Sequence, residues 1–351
     1  MRSALAALVL LALVAVQPAS SKRKREENQE GSSKSKRAAR KAHKARAAAS
    51  FHGDASYQLG AASYMPAGWD GTRAAEEIAI PDMFDRIVDG WPGAKYVSQA
   101  GPEGPGVIKI ENFITEEEAD HLVKIGGEAG LDQSSGTGAK QADGTFKREH
   151  SDYRTSKNSW LMGVFQEDAT VIEVDSRIAN LTSLFSGNSE HYQVLRYSGA
   201  GDEYYKVHSD FIPGHLELPS GPRLFTMFIY LTDVPEGNGG CTFFPRQAPL
   251  KPSLDGHRKP VELGKACKTT YIPWDDIRDA DDFECGLMVR PQKGHAVLWP
   301  NAKLSNLAQQ HPLTEHMALP IHGCDDCVKW AANVWIHLYD FKAAHLLGKG
   351  G

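Results

Sequence analysis

From His191 to the end of the chain the sequence gives up helical spacing and breaks into short apolar runs, and this change constrains the fold more than any other feature. Residues 192–197, 224–231, 240–244, 287–290, 296–299 and 328–338 each read as a strand, with Pro, Gly and Asn clusters between them. Ahead of them the pattern is different. Val107 to Ile110 alternates like one strand, with order beginning near Gly106. Thr115 then stands three residues before Glu118, a capping box, and Ala119, Leu122, Val123 and Ile125 follow at helical spacing. Residues 169–184 predict a second amphipathic helix. Helices followed by a run of strands predict an α+β, mainly β fold, with helices packed on one side of a β-sandwich or jelly roll. One domain over 106–345 and a short tail at 346–351 accommodate all of it.

Charge divides the chain. Between Lys22 and Arg46 there are eleven Lys or Arg against three Glu, so the net charge of −5 conceals a basic arm on a strongly acidic body. Residues 22–58 hold almost no large apolar side chains and predict a disordered basic tether. That reading is favoured over a nucleic-acid-binding arm, because residues 4–16 form an apolar run behind Arg2, with small residues up to Ser21. A secretory signal over 1–21 explains that run, with an uncleaved membrane anchor as the alternative. The secretory pathway, endoplasmic reticulum or Golgi lumen, is the expected location. Residues 59–105 are mixed and punctuated by Gly and Pro, predicting an irregular lead-in. Of the five cysteines, Cys324 and Cys327 are the nearest pair, Cys267 and Cys285 flank one insertion, and Cys241 is left over.

The chemistry concentrates around His208-Ser209-Asp210. Two apart on a strand, His208 and Asp210 point the same way. Two imidazoles and one carboxylate hold one face of an iron(II) ion and leave the other open. The third ligand has four candidates, His311, His316, His322 and His337. The last strand places Lys329, Ala331, Asn333, Trp335 and His337 on one face and an apolar set on the other. A lysine buried there needs an anion, and a keto-diacid that chelates the iron supplies one.

Eight blocks then follow one another in an order that resembles the collagen-type prolyl 4-hydroxylases of the iron(II)/2-oxoglutarate dioxygenase superfamily, the algal and plant forms above all. They are Glu111 to Ala119, Arg154-Thr-Ser, Gln193 to Tyr197, Tyr205 to Asp210, Arg223 to Leu231, Gly239 to Pro245, Val289 to Gly294 and Lys329 to His337. The resemblance implies a double-stranded β-helix (jelly roll) core with N-terminal helices packed on one sheet. It implies iron(II) on His208, Asp210 and His316, the last because Pro320 follows four residues later. It places Lys329 on the far carboxylate of 2-oxoglutarate, with Tyr197 and Thr226 hydrogen-bonding the diacid, and Arg223, Tyr205, Trp335 and His337 along a peptide groove. The implied reaction consumes O2 and hydroxylates C4 of peptidyl proline, releasing succinate and CO2, with L-ascorbate keeping the iron reduced. The implied partner is a proline-rich or collagen-like polypeptide. Hydroxylation of another residue such as lysine, and a non-catalytic protein that binds proline-rich peptides, are the alternatives. The chain departs from the family pattern in its loops. About three extra residues, with Cys324 and Cys327 among them, lie between His316 and Lys329, and two more lie between Tyr197 and His208. Leu319 and His295 replace the family's usual residues.

Overall fold

A computed structural model describes residues 80–346, apart from 99, 102–103, 135, 141–145, 150–152, 163–166, 202 and 248–285. The leader, the basic tether, the pairing of Cys267 with Cys285 and the tail beyond 346 lie outside the described residues. In chain order the elements are α1 (Ile80–Gly90), β1 (Ala94–Tyr96), β2 (Ile108–Ile110), α2 (Glu116–Glu128), β3 (Asp132–Gln133), β4 (Gly136–Lys140), β5 (Phe146–Glu149), β6 (Lys157–Trp160), α3 (Ala169–Thr182) and β7 (Gln193–Ser198). There follow β8 (Tyr205–His208), β9 (Arg223–Tyr230), β10 (Thr242–Phe244), β11 (Leu287–Val289), β12 (Ala296–Pro300), β13 (His316–Ala318), β14 (Val328–His337) and α4 (Phe341–Leu346).

The helices start where local chemistry tells them to. Thr115 accepts from the Glu118 amide while the Glu118 carboxylate accepts from the Thr115 amide, so two orphan donors at the start of α2 are satisfied together. Asp168 caps α3 by accepting from Thr170 and Val171. The first helix corrects the reading of 59–105 as irregular. Pro81 and Asp82 open α1, and Met83, Phe84 and Ile87 form its buried stripe. The strand β1 follows and pairs with β2, so the folded body starts well before Gly106.

The strands make a jelly roll of two main antiparallel sheets. The large one runs β1-β2-β12-β9-β14-β7-β6-β3 and the small one β11-β10-β13-β8, with β4 and β5 as a separate hairpin. Strand alternation divides the apolar residues between two layers. Val194, Met227, Ile229, Val334 and Ile336 face outward from the large sheet and pack under Phe84 of α1, Leu122 of α2 and Ile178 of α3. Leu195, Tyr197, Phe228, Tyr230 and Ala331 face inward against Phe244, Leu287, Val289 and Ala318 of the small sheet. Strand β14, between β7 and β9, is therefore covered on both sides. Its apolar face lies under the helices and its polar face is sealed between the sheets.

Phe84 is fully buried, its ring 5.7 Å from that of Phe225 on β9. Phe84→Ala should therefore cost about 3–5 kcal/mol of stability in urea unfolding if α1 belongs to the core. A loss under about 0.5 kcal/mol, the range of a surface change, would detach α1 from it.

Candidate active site

His208 ends β8 and His316 begins β13, and the two stand directly opposite in that antiparallel pair. Asp210 lies just past the end of β8, in a bend where the Ser209 hydroxyl accepts from the Phe211 amide. A turn, rather than strand alternation, brings the carboxylate back to His208. His208 Nδ1 donates to the Lys206 carbonyl at 2.8 Å and His316 Nδ1 to the Thr314 carbonyl at 3.0 Å. A carbonyl only accepts, so Nδ1 carries the hydrogen in each ring and Nε2 presents a lone pair. Both Nε2 atoms turn toward Asp210, at 3.7 Å from Oδ1 and 3.6 Å from Oδ2. These separations are too long for hydrogen bonds. They suit three ligand atoms surrounding one ion at about 2 Å.

Burial holds His208 well below the usual imidazole range, and His316 beside it adds to that, so His208 stays neutral. Burial would raise Asp210, but His316 and His208, with Arg223 and Thr226 behind them, outweigh it and keep the carboxyl below its ordinary value. Asp210 is thus favoured as the carboxylate and His208 as the neutral imidazole, the forms in which each can bind a metal. The donor set is packed rigidly too: Tyr205 stacks on His208 with ring centroids 3.5 Å apart, and Trp299 meets His316 edge-on at 4.7 Å.

Thr226, expected on the diacid, instead donates to Asp210 Oδ2 at 2.6 Å and accepts from Asn301 Nδ2 at 2.9 Å. A hydroxyl has one hydrogen, and here it orients a metal-type ligand. Lys329 and Tyr197 do come together, as direct cross-strand partners on β14 and β7. Lys329 is fully buried. Its ammonium donates to the Gly240 carbonyl at 2.7 Å and lies 5.0, 5.6 and 5.8 Å from the rings of Tyr197, Phe228 and Tyr230. Among the described residues no carboxylate pairs with it, and burial lowers its pKa to about 8. Thr242 is a hydroxyl that the sequence reading passed over. It stands two residues beyond Gly240, 2.8 Å from the Tyr230 phenol, at the lysine end of the interior. Gly239 and Gly240 stand ahead of β10 with φ of 72° and 69°, so strand alternation from Gly240 gave no signal for Thr242.

Arg223, Trp335 and His337 form one cluster around a residue that the sequence reading missed, Glu190. Arg223 holds both Glu190 oxygens, with Nη2 at 3.0 Å, and its guanidinium lies 3.8 Å above the Trp335 ring. His337 donates through Nδ1 to the Gly221 carbonyl at 2.7 Å and meets Glu190 through Nε2 at 2.7 Å. His215 stacks on His337. Glu190, His215 and His337 are also close enough to hold a metal. Arg223 already occupies the carboxylate, so this trio is a buried ion network instead. Tyr205 sits apart from it, over His208, under the Arg154 guanidinium at 4.5 Å.

Residues 192–337 match the family described as the 2OG-Fe(II) oxygenase superfamily. Prolyl 4-hydroxylase 1 of Arabidopsis thaliana is 30% identical over 271 residues, covering 76% of this chain and 77% of that one. The chain belongs to the prolyl 4-hydroxylase family of these oxygenases. Probable prolyl 4-hydroxylase 7 of Arabidopsis thaliana is 28% identical over 245 residues, and the match spans 68% of this chain and 65% of that protein's length. Among solved structures, the viral collagen prolyl hydroxylase of Paramecium Bursaria Chlorella virus-1, in a 2OG complex, aligns at 23% identity and a TM-score of 0.43, covering 72% of this chain and 98% of that one. The superfamily's cofactors are iron(II) and 2-oxoglutarate. This chain's two Nε2 lone pairs, its ionised Asp210 and its buried ammonium, which no carboxylate pairs among the described residues, fit both.

The lysine fixes a pH dependence. A diacid binds the protonated form, which is full below about 8 and lost above it. Affinity for 2-oxoglutarate should therefore hold steady up to about pH 8 and then fall roughly tenfold per unit until the pKa of the bound lysine is reached. Lys329→Ala should weaken binding by about 3 kcal/mol, roughly a hundredfold, and erase that slope in calorimetry. A slope that survives the substitution would assign it to another group.

Proposed function

We propose that this protein is an iron(II)- and 2-oxoglutarate-dependent dioxygenase that hydroxylates C4 of peptidyl proline, releasing succinate and CO2. The observation that carries the proposal is the joint interior of the two sheets, which holds His208, Asp210 and His316 at one end and Lys329 at the other. His208, Asp210 and His316 would hold iron(II). Iron bound there supplies oxygen activation coupled to decarboxylation of the diacid. Lys329 anchors the far carboxylate, and the Tyr197 and Thr242 hydroxyls bound that end of the cavity. Thr226 and Asn301 keep Asp210 in register. The apolar walls, Phe228, Phe244 and Trp299, exclude water from the reacting end.

Arg223 and Tyr205, both half-buried, form the peptide side, and the buried Trp335 and His337 back the Arg223 guanidinium from within. Flat aromatic and guanidinium surfaces suit an extended polyproline segment, which is already rigid and presents ring faces and carbonyls. The Arg223–Glu190–His337 network locks the guanidinium plane against Trp335. A proline-rich or collagen-like polypeptide is the partner we assign, and ascorbate is the reductant that restores oxidised iron.

The secretory pathway, as endoplasmic reticulum or Golgi lumen, is the location we favour. Two observations support it, the apolar run at 4–16 behind Arg2 and the Cys324–Cys327 disulfide, a bond of oxidising compartments. Among the described residues no helix is long and apolar enough to cross a membrane.

Succinate release should depend on a proline-rich peptide, with the peptide gaining one oxygen by mass. His208→Ala and Asp210→Ala should each abolish both. Activity retained by either variant would misplace the metal, and equal turnover of matched lysyl and prolyl peptides would overturn the proline assignment. Peptide binding with no turnover in the iron-loaded protein would instead support a binding role.

A further inference from the structure

The loop between His316 and Lys329 is longer here than the family pattern, and the structure gives the extra residues a task. Cys324 and Cys327 are joined by a disulfide, with the Cys327 amide also donating to the Cys324 carbonyl at 3.1 Å. The closed turn meets the end of β7, and the residues just ahead of it, Pro320 and His322, meet the turn that carries Gly239 and Gly240. On one side the Gly199 amide donates to the Cys327 carbonyl at 2.9 Å, two residues beyond Tyr197. A side chain at Gly199 would run into the Cys324 carbonyl, so the loop and the end of β7 meet backbone to backbone. On the other side the Gly240 amide donates to the Pro320 carbonyl at 2.8 Å, the His322 amide donates to the Asn238 carbonyl at 3.0 Å, and the Asn238 side chain donates to the His322 carbonyl at 2.9 Å. Gly240 is the residue whose carbonyl receives the Lys329 ammonium. Lys329 itself is two residues past Cys327, paired with Tyr197.

We infer that the Cys324–Cys327 disulfide is a positioning element for the diacid: it holds the Tyr197 strand end, the Gly239–Gly240 turn and Lys329 at fixed spacing, so that opening it weakens 2-oxoglutarate binding selectively. This rests on the reading of Lys329 as the diacid anchor. The His208–Asp210–His316 centre is tied down separately, through the Lys206 and Thr314 carbonyls and Thr226. The Arg223–Glu190 network uses none of these contacts either. Metal and peptide affinities should therefore be spared. Both cysteines are half-buried, within reach of a small reductant.

The test is calorimetry on the full chain in anaerobic iron(II), before and after reduction with a water-soluble phosphine. The phosphine is oxidised to its oxide, taking oxygen from one water, while the disulfide accepts two electrons and the two hydrogens of that water and becomes two thiols. Mass spectrometry and thiol labelling report completion at Cys324 and Cys327. The dissociation constant for 2-oxoglutarate should rise about tenfold, while those for iron(II) and a proline-rich peptide stay within about twofold. Cys324→Ser/Cys327→Ser should match the reduced protein and ignore the phosphine, which separates this bond from any other disulfide. Unchanged 2-oxoglutarate affinity in protein shown to be reduced would overturn the inference alone, as would a parallel loss of iron and peptide binding. Failure of the oxidised protein to bind 2-oxoglutarate would overturn the anchor reading with it.

Discussion

A buried carboxylate, Asp210, and a buried ammonium, Lys329, which has no carboxylate partner among the described residues, sit in the same interior and are kept apart. Asp210 is 5% exposed and Lys329 is sealed completely. Folding alone would join them or expose them, because an isolated charge in a low-dielectric interior is among the costliest things a protein can hold. Here the chain spends its hydrogen bonds on keeping both. Thr226 and Asn301 support the carboxylate, and the Gly240 carbonyl with three aromatic rings supports the ammonium. The two charges define what must enter: a cation at one end and a second anionic group at the other. A divalent metal with a diacid satisfies both at once.

The architecture follows from that demand. A lysine can be sealed on β14 only if the strand's polar face looks into a closed space, and the small sheet closes it. The opposite face can stay apolar because α1, α2 and α3 lie over the large sheet. The two metal-facing histidines come from adjacent strands of the small sheet, in direct register, so their spacing is set by the ladder and not by a loop. Strain is confined to connections, as at Asn112 and Ser183, the only non-glycine residues with positive φ among those described.

Much of this was legible in the sequence because periodicity and capping are local. The Thr115–Glu118 box, the helix beginning at Ala169 and the strands β2, β7, β9, β12 and β14 of the large sheet needed no tertiary information, whereas β1, β3 and β6 were too short to show alternation. The pattern Lys329, Ala331, Asn333, Trp335, His337 marked the inward face of β14. The first helix was also written locally, in Pro81, Met83, Phe84 and Ile87, but the surrounding Gly and Pro obscured it. Other features were never local. β13 is three residues long, too short to show alternation, so His316 could be chosen only by resemblance. Asp210 shares a direction with His208 through a turn whose geometry alternation does not describe. Whether a threonine faces the metal or the diacid depends on which strand it lies beside. Thr226 on β9 and Thr242 on β10 are alike as letters, and register alone separates them. Glu190 carries no motif, and its role appears only when Arg223 and His337 arrive from strands far along the chain.

Because both charges are buried between the same two sheets, the most direct measurement is the linkage between metal and diacid. Binding of 2-oxoglutarate should be measured by calorimetry at a fixed pH near neutrality, with and without saturating iron(II) in the absence of oxygen. The account predicts that iron tightens the diacid at least about tenfold and that the diacid tightens iron by the same factor, as reciprocal coupling requires. Diacid affinity indifferent to iron would mean that the lysine and the His208–Asp210–His316 centre serve separate ligands, and would contradict the account.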